Sequence, residues 1–135
     1  MTEGHLFVYG TLRPGLAPAP VAWLLDGARS LGAARIPGRL YDLGAYPGAR
    51  LEGEAGDEIQ GEVFWVPDLA ARLPALDRYE GFDPAAPERS LFVRTSCEAR
   101  LADGSRIACA VYVVAEMPPA ARRIASGLWR PAGAR

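Results

Sequence analysis

Lysine and asparagine are absent from this 135-residue chain, histidine occurs once, at His5, and all fifteen basic residues are arginine. Without lysine no Schiff base can form and no P-loop can be built, because both need an ammonium in place. His5 opens an apolar run, where a solvated strand-end residue is the simpler reading, so catalytic triads are disfavoured. Two cysteines and one histidine, widely separated, cannot supply the spaced ligands of a structural zinc site, although carboxylate-only metal sites stay open. Fifteen basic against sixteen acidic residues leave a net charge of -1. No arginine block provides the electrostatic footprint of nucleic-acid binding, so nucleic acid is not an expected partner. The N-terminus lacks the layout of a signal peptide, and no apolar run is long enough for a bilayer span. The expected location is therefore cytoplasmic, with no membrane partner.

What the chain does contain is ordinary globular material. Half its residues are hydrophobic, 23% are charged, and twelve prolines with fifteen glycines imply many turns. A chain of this length can bury one substantial core without staples, so a single domain over residues 1–135 is expected, of turn-rich α+β or β-rich class.

Residues 5–9 are β-branched and aromatic and end at Gly10, which reads as a buried strand running into a loop over 10–20. A short helix over 21–26 should follow. Residues 35–42 form the next candidate strand, broken by Pro37-Gly38, which suits an edge or a bulge. Residues 44–48 read as a loop. Residues 58–66 alternate and then become wholly apolar, as a strand entering a core would, and Pro67-Asp68 marks a helix start. Leu69, Leu73 and Leu76 lie at i, i+4 and i+7 of that helix, and the next place on their stripe is Glu80. Pro74 interrupts the same segment, so the stripe reaches Glu80 only if register survives the proline.

Residues 92–101 and 105–114 are strong strands around Ala102-Asp103-Gly104. A two-residue turn would put Cys97 and Cys109 on opposite faces. A three-residue loop with Gly104 left-handed makes them direct partners and aligns Val93 with Val113, Thr95 with Val111 and Ala99 with Ile107. The second register is preferred, and in a cytosolic protein the cysteine pair would stay reduced. The segment after Pro118-Pro119 is expected to add one or two helical turns before Ser126-Gly127-Leu128-Trp129.

Three features meet the requirements of a site. Tyr9-Gly10-Thr11-Leu12 follows a strand and exposes successive backbone N–H groups, with Gly10 allowing close approach. Such a loop either cradles a carboxylate or oxyanion, or is simply a tight strand exit. Glu80 sits where the helix should end at Gly81. Buried, it would have a raised pKa and be a competent general acid/base; solvated beside exposed Asp77 and Arg78, it would be a helix-end surface group. Tyrosines and arginines flank both.

Phe7-Val8-Tyr9-Gly10-Thr11-Leu12-Arg13, Leu40-Tyr41-Asp42-Leu43-Gly44-Ala45-Tyr46-Pro47-Gly48, Gly61-Glu62-Val63-Phe64 and Leu76-Asp77-Arg78-Tyr79-Glu80-Gly81 occur in that order, closed by Ala110-Val111-Tyr112-Val113. Together they resemble the gamma-glutamylcyclotransferase-like family across nearly the whole chain. The resemblance implies an α+β fold, a small mixed β-barrel with short helices, and makes Glu80 the acid/base. Tyr9, Gly10, Thr11 and Leu12 would bind substrate. The implied reaction cyclises a gamma-glutamyl amine or peptide to 5-oxoproline, needs no enzyme nucleophile and no cofactor, and suits a chain without lysine. The expected partner is a small molecule with a gamma-glutamyl group; the oligomeric state is open. Two positions depart from the family's pattern: Phe92-Val93-Arg94 stands where Tyr-x-Arg is frequent, and Leu128 where Asp is. The competing readings are a non-catalytic small-ligand-binding module using the same pocket, and a structural oligomerisation domain with Glu80 solvated or salt-bridged.

Overall fold

The computed structural model describes residues 4–10, 27–44 and 46–129, so Thr11, Leu12 and the expected helix over 21–26 lie outside the described residues. Five strands close a barrel in the order β1 (His5–Val8), β5 (Glu58–Trp65), β2 (Arg29–Pro37), β6 (Phe92–Leu101) and β7 (Arg106–Val114). Closure is made by the parallel pairing of Leu6 with Ala110; the other barrel pairs are antiparallel. A second sheet has the order β4 (Pro47–Arg50), β3 (Arg39–Asp42), β8 (Arg122–Ile124). The helix α1 (Leu69–Glu80) follows β5, and a single 3-10 turn spans Pro87–Arg89. The fold is thus a mixed five-stranded barrel with one α-helix among the described residues.

The apolar runs of β1 and β7 are continuous because both faces of these strands are covered, whereas β5 alternates before it becomes apolar at Val63. Leu6, Val8, Phe64, Ala110, Tyr112 and Val114 point to one side and pack with Leu69 and Leu76 of α1. Phe7, Val63, Cys109 and Val111 alternate with them and fill the barrel interior with Ile36 and Ile59. The hairpin of β6 and β7 has the three-residue loop, with Gly104 at φ 88, and pairs Cys97 with Cys109, Val93 with Val113, Thr95 with Val111 and Ala99 with Ile107. Both cysteines are free, their sulfurs 3.6 Å apart.

Three expectations are corrected. Pro37-Gly38 does not mark an edge: β2 lies between β5 and β6, and Gly38, at φ 142, turns the chain into β3 of the other sheet. A Cβ there would meet the Arg50 carbonyl at 2.2 Å, so the corner demands glycine. Residues 47–48 belong to β4 and not to a loop, because they pair with Asp42 and Tyr41 of β3. The expected C-terminal helical turns are replaced by β8, whose Arg122, Arg123 and Ile124 pair with β3; the backbone of that strand is better satisfied by the sheet than by two isolated turns.

Candidate functional site

Helix α1 carries its register through Pro74. Pro74 and Ala70, whose carbonyl the proline leaves without a donor, both lie on the exposed side, where water can satisfy that oxygen. Leu69 and Leu76 are buried, Leu73 packs against the same cluster, and Glu80 continues the stripe. The helix stops at Gly81, at φ 72, whose N–H bonds the Arg78 carbonyl while the Phe82 N–H bonds that of Asp77. This Schellman-type end turns the chain sharply just after the acid.

Glu80 opens onto a cavity of about 250 Å³. Its inner wall is built from Val8, Tyr9 and Gly10 of β1 and its exit, with Tyr112 of β7 and Phe92 of β6 beside them. Tyr46 comes from the β3–β4 turn, Pro47 from the first position of β4, and Leu91 from the segment preceding β6. The cavity thus forms where the two sheets and the helix end meet. Loss of water contact pushes the Glu80 carboxyl up to about 7. The group keeps some access to solvent through the cavity mouth, while protein surrounds the rest of it.

The two deep phenols are held neutral. Tyr9 is raised by burial and then by the nearby Glu80 charge; Tyr112 is raised by burial and by its bond to Asp77. Their hydroxyl protons are committed, Tyr9 donating to the Tyr112 carbonyl and Tyr112 to Asp77 Oδ1 at 2.5 Å. The Ala49 N–H donates to the Tyr9 oxygen at 3.3 Å, so this tyrosine ties β1, β4 and β7 together. The Tyr9 and Tyr112 hydroxyl protons are thus not available to an anionic ligand group.

Of the residues expected from sequence, Tyr9, Gly10 and Glu80 line one cavity; Thr11 and Leu12 lie outside the described residues. Asp77 corrects the expectation of an exposed neighbour: it is 5% exposed and receives Arg94 Nε at 3.0 Å and Arg94 Nη2 at 3.3 Å as well as the Tyr112 hydroxyl. The signal was available, because the hairpin register that pairs Val93 with Val113 also pairs Arg94 with Tyr112. Tyr46, Leu91 and Tyr112 are cavity residues that the chain-order reading did not single out as such. Of the two departures from the resemblance, Phe92 lines the cavity, whereas Leu128 borders a separate surface cleft with Gln60 and Arg100. Among the described residues no group of three His, Cys, Asp or Glu side chains could hold a metal ion, and no helix is long and apolar enough to cross a membrane.

Fold and site define a class: a small closed barrel with one desolvated carboxyl and a strand-exit glycine lining the same aromatic cavity. The sequence matches the family described as gamma-glutamyl cyclotransferase, AIG2-like, over residues 6–131, and the chain belongs to that family. Among solved structures it is similar to YkqA from Bacillus subtilis, with TM-score 0.69 and 24% identity over 95% of this chain and 40% of YkqA. The chain therefore spans two fifths of that protein, and the likeness to it is one of fold. An AIG2-like protein from Mus musculus gives TM-score 0.66 and 25% identity over 88% of this chain and 82% of that one. The uropathogenic E. coli-specific protein c4763 gives 0.63 and 25% over 96% and 94%. No curated protein matches the sequence.

Proposed function

We propose that this chain is a gamma-glutamyl cyclotransferase, converting a gamma-glutamyl amide into 5-oxoproline and a free amine, with Glu80 as acid/base. The observation that carries this reading is the desolvated Glu80 carboxyl, with a pKa of about 7, in the same cavity as Tyr9 and Gly10. The substrate's α-ammonium gives a proton to Glu80, and the freed nitrogen attacks the γ-carbonyl carbon. The C–N bond to the leaving amine then breaks while Glu80 returns that proton to the departing nitrogen; the ring nitrogen sheds its second proton, which leaves the amine as an ammonium, so no water is consumed. A carboxyl near neutrality suits both directions of transfer. Backbone N–H groups at Gly10, Thr11 and Leu12 would hold the α-carboxylate or the developing oxyanion. Because the nucleophile is part of the substrate, folding it into a five-membered-ring geometry supplies much of the acceleration, which a confined cavity provides.

The test is release of 5-oxoproline from gamma-glutamyl amides. Glu80→Gln should abolish it, with an intact circular dichroism spectrum, and wild-type kcat/KM should fall below about pH 7 as the base is protonated. A second reading rests on Phe92, which places an apolar ring in the cavity where the resemblance leads one to look for a hydroxyl. Binding of such amides that survives Glu80→Gln, without product from the wild type, would make this a ligand-binding module instead.

A further inference from the structure

The barrel wall opens where two of its strands part. Among the described residues β2 meets β6 through the pairs Ala34–Leu101 and Arg35–Arg100, whereas β6 and β7 stay paired from Phe92–Val114 to Arg100–Arg106. Where β2 and β6 diverge lies a surface cleft of about 420 Å³, lined by Cys97 among others, with Arg35, Arg100 and Arg106 set against Glu58 and Glu98. Cys97 is half-buried. Its direct partner on β7, Cys109, is fully buried in the barrel interior, and the two sulfurs lie 3.6 Å apart. Directly opposed strand residues hold their Cα atoms about 4.5 to 5.5 Å apart, inside the span that a disulfide bridges. A bond between these sulfurs therefore needs side-chain movement and no rearrangement of the strands. They are the chain's two cysteines, so no other thiol competes. A hydrogen bond shared between the thiols holds Cys109 below the usual thiol range and Cys97 above it. Such a pair loses its first proton as a unit, so access decides which sulfur reacts, and access belongs to Cys97.

We infer that Cys97 and Cys109 form a hydroperoxide-reactive dithiol, entered through this cleft at Cys97 and closing to a disulfide across the hairpin. The Cys97 thiolate attacks one peroxide oxygen; the O–O bond breaks, a sulfenic acid forms, and the leaving alkoxide takes up the thiol's proton to become an alcohol. Cys109 then attacks the Cys97 sulfur; the S–S bond forms, the S–O bond breaks, and hydroxide leaves with the Cys109 proton as water. The dithiol loses two electrons and the hydroperoxide gains them. The site shares no described lining residue with the Glu80 cavity and stands independently of the cyclotransferase reading.

Treatment of the folded protein with hydrogen peroxide tests this. Trypsin cuts after Arg94, Arg100, Arg106 and Arg122, so peptides 95–100 and 107–122 stay joined only through a Cys97–Cys109 disulfide. Mass spectra without reductant should show the joined pair, two hydrogens lighter than the sum of the separate peptides, and dithiothreitol should remove it. In Cys109→Ala, dimedone should trap a sulfenic acid at Cys97 at least about tenfold faster than at Cys109 in Cys97→Ala. Peptides that stay separate after peroxide, or that join only in covalent dimers on a non-reducing gel, would overturn the inference. Equal trapping rates in the two variants would overturn it as well. If a variant does not fold, the wild-type cross-link decides alone.

Discussion

Replacing Glu80 by Gln isolates the cost of holding a charge in the cavity, and the fold predicts its sign and size. In an unfolded chain the carboxyl titrates at its ordinary 4.5; in the folded protein it titrates at about 7. Below about 4.5 the group is protonated in both states and folding carries no ionisation penalty. As pH rises through 7 the folded state must hold a carboxylate that water would solvate better, so this part of the stability is lost. At about 1.36 kcal/mol per pH unit, the difference between wild type and Glu80→Gln should grow by at most about 2.5 kcal/mol between pH 5 and 8.5. Because the cavity opens to solvent, about 1 to 2.5 kcal/mol is the expected range. Urea unfolding of both proteins across that interval measures it, and the steric and hydrogen-bonding offset of Gln cancels because it does not vary with pH. The variant should be relatively more stable at high pH while inactive throughout. A stability difference that stays flat with pH would place the carboxyl in bulk water and refute the argument for its role as a base.

Asp77→Asn should destabilise the fold by about 2 to 4 kcal/mol in urea unfolding, because three donors converge on Asp77 and an amide NH2 must face one of them. A loss below about 0.5 kcal/mol would mean that the network with Arg94 and Tyr112 does not hold the helix to the hairpin. Two glycine substitutions should separate packing from backbone strain. At Gly61 a Cβ would lie 2.3 Å from the Val8 carbonyl oxygen and 2.7 Å from Phe7 Cζ, so Gly61→Ala should cost about 3 kcal/mol or more. At Gly104 nothing lies within 4 Å, and Gly104→Ala should cost only about 1 kcal/mol, from its φ of 88. Equal losses at the two sites would contradict that assignment.

The parts of the fold legible in the sequence are those where one local rule has no rival. The 92–114 hairpin could be registered residue by residue because Gly104 admits a left-handed three-residue loop, the preferred of two registers, and that loop aligns Val93, Thr95, Cys97 and Ala99 with their observed partners. β1 and β7 announce themselves as apolar runs, since neighbours cover both of their faces, whereas residues 29–34 of β2, largely exposed and without such a run, were not read as a strand. Pro37-Gly38 misled because the local rule, that proline leaves a central strand, was right about the break and silent about where the chain goes next. The chain leaves one sheet there and enters another, whose pairing partners β4 and β8 lie further along the sequence. The same holds for β8: nothing in Arg122-Arg123-Ile124 requires a strand until the free edge of β3 is offered to it.

The candidate site divides along the same line. Glu80 was visible because helical phase extends a leucine stripe to it, and the exposed placement of both Ala70 and Pro74 explains why the proline did not disturb that phase. The apolar side of the cavity was not visible as one surface, since Tyr46 and the Leu91-Phe92 pair come from two distant segments that no local spacing links. Asp77 lies between these cases. On the helix alone it is three residues before Glu80 and reads as a surface acid. It becomes a buried anchor only when the hairpin register, itself derivable, sets Arg94 beside Tyr112 under the helix end. A charged residue one turn from a candidate catalytic acid is therefore best judged against the strands that the acid must pack on. Here that comparison converts an apparent solvent-facing neighbour into the contact that ties the end of α1, and with it Glu80, to the rim of the cavity.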